Sequence, residues 1–456
     1  MSAVAPAEVV ERIWARDATL WTGRDEAKWL GWLAEPMRMH SRLGDLLRFV
    51  EELAAPGVVD TFVLLGMGGS SLAPEVIRRT FESDSFHVLD TTHPAALRRV
   101  TETLDFDATL FVAASKSGTT LETRCHLDYF WEKAGKRGEL FAAITDPGSE
   151  LESLARERGF LGIFDGEPTI GGRYSALSVF GLVPAALMGV DLERLLERVE
   201  EMVDACHAQD GNPGLELGLE LGEGWQDGRD KVTINPNTSG FGLWAEQLLA
   251  ESTGKEGKGL IPAPGEPPDG PDRQAPEVRL SAPYELGQEF YRWEFATAVA
   301  GSILGINPFD QPNVQAAKDK TNEVLASGRD PDVEPRGSLE ELLGQAQPGD
   351  YVAIQAFVDP GRQDELDRLV DRARDETGCV VTHGFGPRYL HSTGQLHKGG
   401  PNTGLFVQVV DDPGDEVPIP GRKLGFRRLI QAQAAGDLSS LEERGRRIVR
   451  VKLEDL

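Results

Sequence analysis

Glu251 closes an apolar run, "GFGLWAEQLLAES", and is followed at once by lysines and glycines in "TGKEGKG". A carboxylate there has two physical readings. It can be a solvated charge at a helix end. Held in a fixed position beside a group that orients a substrate, it can instead be a base that takes a proton from carbon. Gln247 lies four residues earlier and shares its helix face. Arg173 stands behind two glycines in "GGR". It could stabilise negative charge developing on enediol oxygens, an interaction worth ~3 kcal/mol when desolvated. "FDQPNVQAAK" adds Gln311 and Lys318 around a helix start. Taken singly, each of these reads as a surface charge or a helix-end partner.

Two turns could hold an anion. "SKSGTT", Ser115 to Thr120, packs four hydroxyls and Lys116 between a strand and a helix. One hydroxyl would serve to cap the helix. Four exceed that need, and with backbone N–H groups they can surround a phosphate. "GMGGSS", Gly66 to Ser71, is a weaker signal. Its glycines admit a close backbone approach, but it has neither a dinucleotide fingerprint nor a nucleotide P-loop ending, and alone it reads as a tight turn. Both turns follow strands of one sheet, at the edge where open α/β sheets bind ligands. His383, His391 and His397 crowd into "THGFGPRYLHSTGQLHKGGPNTG", a Gly-rich segment that reads as a functional loop. No HExxH motif and no Cys/His spacing suggests a metal, and no GxSxG elbow suggests a serine nucleophile.

The elements that must position these residues follow from periodicity. "VDTFVLLGMGGSSLAPEVIRRTF", "SFHVLDTTHPAALRRVTE", "ATLFVAASKSGTTLETRCHLDYFWEKA" and "ELFAAITDPGSELESLARERG" each read strand, turn, helix. Residues 1 to 55 read as helical, with "LGDLLRFVEELAA" the clearest amphipathic stretch. "DKVTINPNTSGFGLWAEQLLAES" opens a second such series, and "EFYRWEFATAVAGSILGINPFDQPNVQAAKDKTNEVL" reads as a long buried helix, a turn and another helix. "GRDPDVEPRGS" reads as a linker. Beyond it, "DYVAIQAFVD", "GCVVTHGF", "TGLFVQVV" and "RIVRVKL" are strands separated by helices. Alternating strands and helices predict an α/β protein with parallel sheets covered on both faces. At 456 residues, two or three domains are expected. The boundaries fall at 1–188, 189–328 and 329–456, the last carrying the His-rich loop.

A formal charge of −27 repels nucleic acid and anionic lipid in the absence of a basic cluster, and none is present. The same charge requires any site for an anionic metabolite to be built from local donors. Three distant cysteines point to a reducing compartment. No apolar stretch of signal-peptide or membrane-span length occurs, so a cytoplasmic protein without nucleic-acid or membrane partners is expected.

The set "GMGGSSLAP", "SKSGTTLET", "IGGRYSALSVFG", "AEQLLAESTGK" and "GINPFDQPNVQAAK", in that order over residues 55 to 325, resembles the glucose-6-phosphate isomerase family. The C-terminal "GPRYLHSTGQLHKGGPNTG" is similar to the short branch of that family and to the isomerase half of transaldolase–isomerase fusions. The resemblance implies two sugar-isomerase-type (SIS) domains, each a parallel sheet flanked by helices, plus the C-terminal α/β region, and a homodimer. It implies an aldose–ketose isomerase of glycolysis and gluconeogenesis, binding a small sugar phosphate and needing no metal or organic cofactor. Carried over, Ser115, Ser117 and Thr120 would hold the phosphate, with Lys116 and Ser70 nearby. Arg173 would stabilise the cis-enediolate, with Gly172 contributing backbone. Glu251 would move the proton between C2 and C1, Gln247 and Gln311 would place the sugar, and Lys318 would assist ring opening or hold the O5/O1 end. The longer members' ring-opening histidine has no counterpart between His207 and His383. His397 first, and His391 second, would replace it. Long-form members also carry a bulkier residue where Gly118 stands in "SKSGTT". Two other functions use the same residues: an isomerase that also accepts mannose 6-phosphate, and a non-catalytic sugar-phosphate-binding regulator.

Overall fold

A computed structural model describes residues 5–53 and 59–456. The amphipathic stretch read over 43–55 lies in the helix Glu35–Leu53, and its last two positions fall outside the described residues. The N-terminal segment is helical as expected, in two α-helices joined by short 3-10 turns.

The first sheet has five strands: β1 (Thr61–Gly66), β2 (Phe86–Leu89), β3 (Thr109–Ala114), β4 (Phe141–Thr145) and β5 (Gly162–Asp165). All pair in parallel in the order β2-β1-β3-β4-β5. The strand direction of travel reverses between β1 and β3, the switch point at which such sheets open a crevice at their carboxyl ends. "GMGGSS" leaves β1 and "SKSGTT" leaves β3, so the two turns face each other across that crevice. β3 and β4 are buried along their whole length, which explains their near-continuous apolar sequence. β5 is short, half-buried and at the sheet edge, and its sequence carries no clear strand signal.

The rest of the chain builds two further parallel sheets. β6 (Lys231–Ile234), β7 (Ile261–Pro264) and β8 (Arg273–Gln274) pair in the order β7-β6-β8. β9 (Tyr351–Phe357), β10 (Val380–Phe385), β11 (Gly404–Val410) and β12 (Arg447–Lys452) pair in the order β10-β9-β11-β12. Ala250, Ile261 and Ala263 pack in one buried cluster with Tyr351, Val380 and Phe406, so the small sheet and the C-terminal sheet share apolar core. The long buried helix is Glu285–Leu304, ended by Gly305 in the left-handed conformation. The "GRDPDVEPRGS" stretch carries no helix or strand beyond an isolated bridge from Arg336 to Arg450. Among the described residues no helix is long and apolar enough to cross a membrane. The three cysteines are free and buried.

The β1 turn is closely packed. A Cβ on Gly69 would lie 2.0 Å from the carbonyl oxygen of Gly172. Gly68 adopts φ +55, and a Cβ there would lie 2.7 Å from the carbonyl oxygen of His391. These glycines let three segments distant in sequence converge. Gly69→Ala should therefore destabilise the chain by about 1–3 kcal/mol through overpacking. Gly44→Ala, on an exposed helix face with nothing within 4 Å, should stabilise it by up to about 1 kcal/mol. Urea denaturation of the two variants measures the contrast.

Candidate active site

Glu251 lies in the last turn of the helix Gly242–Thr253, and its side chain is only 13% exposed. The solvated helix-end reading is thereby set aside. Gln247 donates from Nε2 to Glu251 Oε2 at 2.9 Å and to the His391 carbonyl at 2.9 Å. Arg173 Nη1 stands 3.3 Å from Glu251 Oε1. The guanidinium is 1% exposed, so nearly all of its hydration must be replaced. Its Nε donates to Ser252 Oγ at 2.7 Å, Nη1 to Gln311 Oε1 at 3.0 Å, and Nη2 to the carbonyls of Pro308 and Asp310. Gln311 thus meets the site through Arg173. Lys255 fastens the same loop, donating to the carbonyls of Asn307 and Asp310 and to Asp310 Oδ1. Burial, with the Arg173 charge adding to it, pulls the Lys255 ammonium down to about 8 against the opposing pull of Asp310.

The hydroxyl turn is organised from within. Ser115 Oγ accepts from the Gly118 N–H and lies 3.0 Å from Thr120 Oγ1. Ser117 Oγ accepts from the Thr119 N–H and lies 2.9 Å from its hydroxyl. Gly118 has φ +71, and a Cβ there would lie 2.4 Å from the Leu151 nitrogen. Only glycine fits here without a shift of the Leu151 backbone. Ser70 is buried in the facing turn. Lys116 is committed elsewhere: Nζ donates to Asp146 Oδ1 at 2.7 Å and to the Glu167 carbonyl at 3.0 Å, over the Phe180 ring. The charge that the sequence places beside a phosphate is therefore already neutralised.

A cavity of about 330 Å³, in the range of small-ligand pockets, opens beside this turn; its walls include Thr119, Thr120, Glu122, Lys318, His391 and Gln433. His391 Nε2 lies 3.0 Å from Glu122 Oε1. Burial pushes the Glu122 carboxyl up, but His391, through charge and hydrogen bond, and Lys318 hold it down at about 2. It is the nearby ammonium of Lys318, rather than Lys116, that offers a cation to this cavity.

The structure reverses the ranking of the two histidines. His397 is buried between the rings of Tyr389 and Phe406, with Nδ1 3.0 Å from Gln355 Nε2. Burial drives its imidazole well below the usual range, with Lys398 and Arg446 adding to the effect. It is a core residue of the C-terminal sheet, and His391 is the histidine that reaches the cavity. His383 lies on an exposed position of β10. Gly172 contributes its carbonyl to the contact with Gly69.

Glu122 and Gln433 escaped the sequence reading. Glu122 stands inside the quoted "SKSGTTLET", where an acid in the first turn of a helix passes for ordinary dipole compensation. Its meaning depends on His391, 269 positions away. Among the described residues no group of three or more His, Cys, Asp or Glu side chains could hold a metal ion.

Comparison with known proteins places these observations. Residues 50–212 match the family model of phosphoglucose isomerase, a stretch that includes the hydroxyl turn and Arg173 and ends before Glu251. The chain is 32% identical over 268 residues to the glucose-6-phosphate isomerase of Gloeothece citriformis, covering 51% of this chain and 50% of the relative. It is 34% identical over 212 residues to that of Nostoc punctiforme, covering 42% and 40%. The chain thus aligns with about half the length of the curated relatives it matches, or less. The crystal structure of a glucose-6-phosphate isomerase from Chlamydia trachomatis superposes with a TM-score of 0.58 at 19% identity, over 70% of this chain and 84% of that one. A hypothetical protein from Thermus thermophilus superposes with a TM-score of 0.51 at 22% identity, over 98% and 83%. At these identities the structures establish a common fold: parallel sheets flanked by helices.

Glu246, beside Gln247, supplies a pH test of the same helix. Burial raises its carboxyl to about 8, with Arg388 opposing weakly. The unfolded chain releases this proton near the ordinary value of about 4.3. Between those limits the folded state holds one more proton, so its stability falls as pH rises. Glu246→Gln removes that loss. Its melting temperature relative to the parent should climb between about pH 4.5 and 8 and level off above, which differential scanning calorimetry across that range measures.

Proposed function

We propose that this chain, which matches the family model of phosphoglucose isomerase over residues 50–212, is a member of that family and interconverts D-glucose 6-phosphate and D-fructose 6-phosphate through a cis-enediol. The observation that carries the reading is the Glu251 carboxylate, nearly buried and fixed between Gln247 and Arg173. A regulator that only binds sugar phosphate needs neither a positioned base nor a cation beside it.

The steps follow from the residues. The phosphate rests on the Ser115, Ser117, Thr119 and Thr120 hydroxyls and on the N–H groups of their turn, with Lys318 as the cation. These are the local donors that a strongly acidic protein must supply for a dianion. His391, oriented by Glu122, takes the proton of the C1 hydroxyl and delivers one to the ring oxygen, so that the bond from C1 to the ring oxygen breaks and C1 becomes a carbonyl. Glu251 then takes the C2 proton. The negative charge that develops on the C1 and C2 oxygens falls beside the Arg173 guanidinium, whose five protein contacts fix it before the charge appears. The proton returns at C1 while the proton of the C2 hydroxyl passes to the C1 oxygen, leaving the C2 carbonyl. Gln247 holds the carboxylate in place throughout. The Glu122–His391 pair is complete within one chain, so in the homodimer that we include in this reading each subunit supplies its own.

Glu251→Gln should retain binding of fructose 6-phosphate while turnover, read by a coupled dehydrogenase, falls by about 10²–10⁴-fold. Equal loss of binding and turnover would assign Glu251 a structural role. His391→Ala should impair the cyclic sugar far more than an open-chain analogue, and His397→Ala should lower the melting temperature without that selectivity. Equal impairment of both substrates by His391→Ala would contradict the ring-opening assignment.

A further inference from the structure

We propose that Gln433 and Thr92 are positioning residues for His391, acting through Glu122; the catalytic consequence rests on the ring-opening role given to His391 above. Thr92 Oγ1 donates to Gln433 Oε1 at 2.7 Å, and Gln433 Nε2 donates to Glu122 Oε1 at 2.8 Å. His391 Nε2 meets that same oxygen at 3.0 Å. Thr92 is 0%, Gln433 2% and Glu122 6% exposed, so water does not substitute for any link. The four residues come from four places: the turn after β2, the helix Leu121–Lys133, the helix Phe426–Glu442 and the loop after β10.

The polarity of the chain is forced. An ionised carboxylate only accepts, so Gln433 must present its NH₂ group to Glu122. Its carbonyl oxygen then needs a donor, and the Thr92 hydroxyl is that donor. Glu122 Oε1, already receiving the amide, fixes the neutral imidazole with its proton on Nε2. Nδ1, which has no protein hydrogen bond among the described residues, is left as the lone-pair side. Lys318 is the other charge acting on Glu122, and it cannot reproduce the directional contact of the amide. The helix Phe426–Glu442, far from the family-matched stretch, thereby sets which nitrogen of His391 exchanges protons with the sugar.

The test is nitrogen NMR of the ring-labelled protein, with His391 assigned by His391→Gln. In the parent and in Thr92→Ser, neutral His391 should hold its proton on Nε2. In Gln433→Leu and Thr92→Val the two tautomers should mix. Their kcat/KM for cyclic glucose 6-phosphate should fall about tenfold, with less than a twofold change for an open-chain analogue. Thr92→Ser keeps the donor and controls for a packing defect in Thr92→Val. A tautomer unchanged in both Gln433→Leu and Thr92→Val would overturn the proposal. A single tautomer in the parent that mixes in Gln433→Leu and Thr92→Val, in a protein that does not turn over glucose 6-phosphate, would uphold the relay and reject the isomerase reading instead.

Discussion

The site depends on one buried charge. Arg173 sits at 1% exposure, and a guanidinium taken from water at that depth is tolerated only when an anion and a full set of acceptors surround it. Glu251 supplies the anion; Ser252, Gln311 and the carbonyls of Pro308 and Asp310 supply the acceptors. Removing the partner of such a pair typically costs about 3–5 kcal/mol. The same pair that the fold must satisfy is the pair that moves a proton in the proposed reaction. In that reading stability and chemistry constrain the same atoms, and the loop over 307–310 is fastened a second time by Lys255.

Around that charge, close backbone approach does the assembly. Gly69 against Gly172, and Gly68 against His391, bring the β1 turn, the arginine turn and the C-terminal loop to contact distance. Gln247 then links Glu251 to the histidine segment by donating to both its carboxylate and the His391 carbonyl. The cavity is walled by His391, the hydroxyl turn and the helices Val314–Ala326 and Phe426–Glu442. The two carboxylates are each fixed by a glutamine of their own: Gln247 for Glu251 and Gln433 for Glu122.

What the sequence made legible were features that local chemistry forces. The five strands β1, β2, β3, β4 and β6 and the four C-terminal strands follow from apolar runs ended by turn residues. β5 and β8 lack that signal, being short and only partly buried. Glu251, Arg173, Gln247 and Gln311 form one group of hydrogen bonds and an ion pair, and the hydroxyl turn borders the cavity beside His391. Histidine choice was not legible. His391 and His397 stand six residues apart in one Gly-rich segment, and only the packing of the helix Gly394–Gly399 decides that His397 turns inward against Phe406. Lys116 misled for a related reason: its partner Asp146 follows β4, thirty positions away. Glu122 and Gln433 acquire meaning solely through contacts across more than 250 residues.

The most direct test of the account follows hydrogen rather than rate. Glucose 6-phosphate deuterated at C2 is turned over in ordinary water, and the C1 position of the product is read by NMR. Transfer through the Glu251 carboxylate predicts a primary isotope effect and fructose 6-phosphate in which solvent hydrogen has replaced part of the deuterium at C1. Complete carry-over of deuterium to C1, with no solvent hydrogen entering, would contradict it.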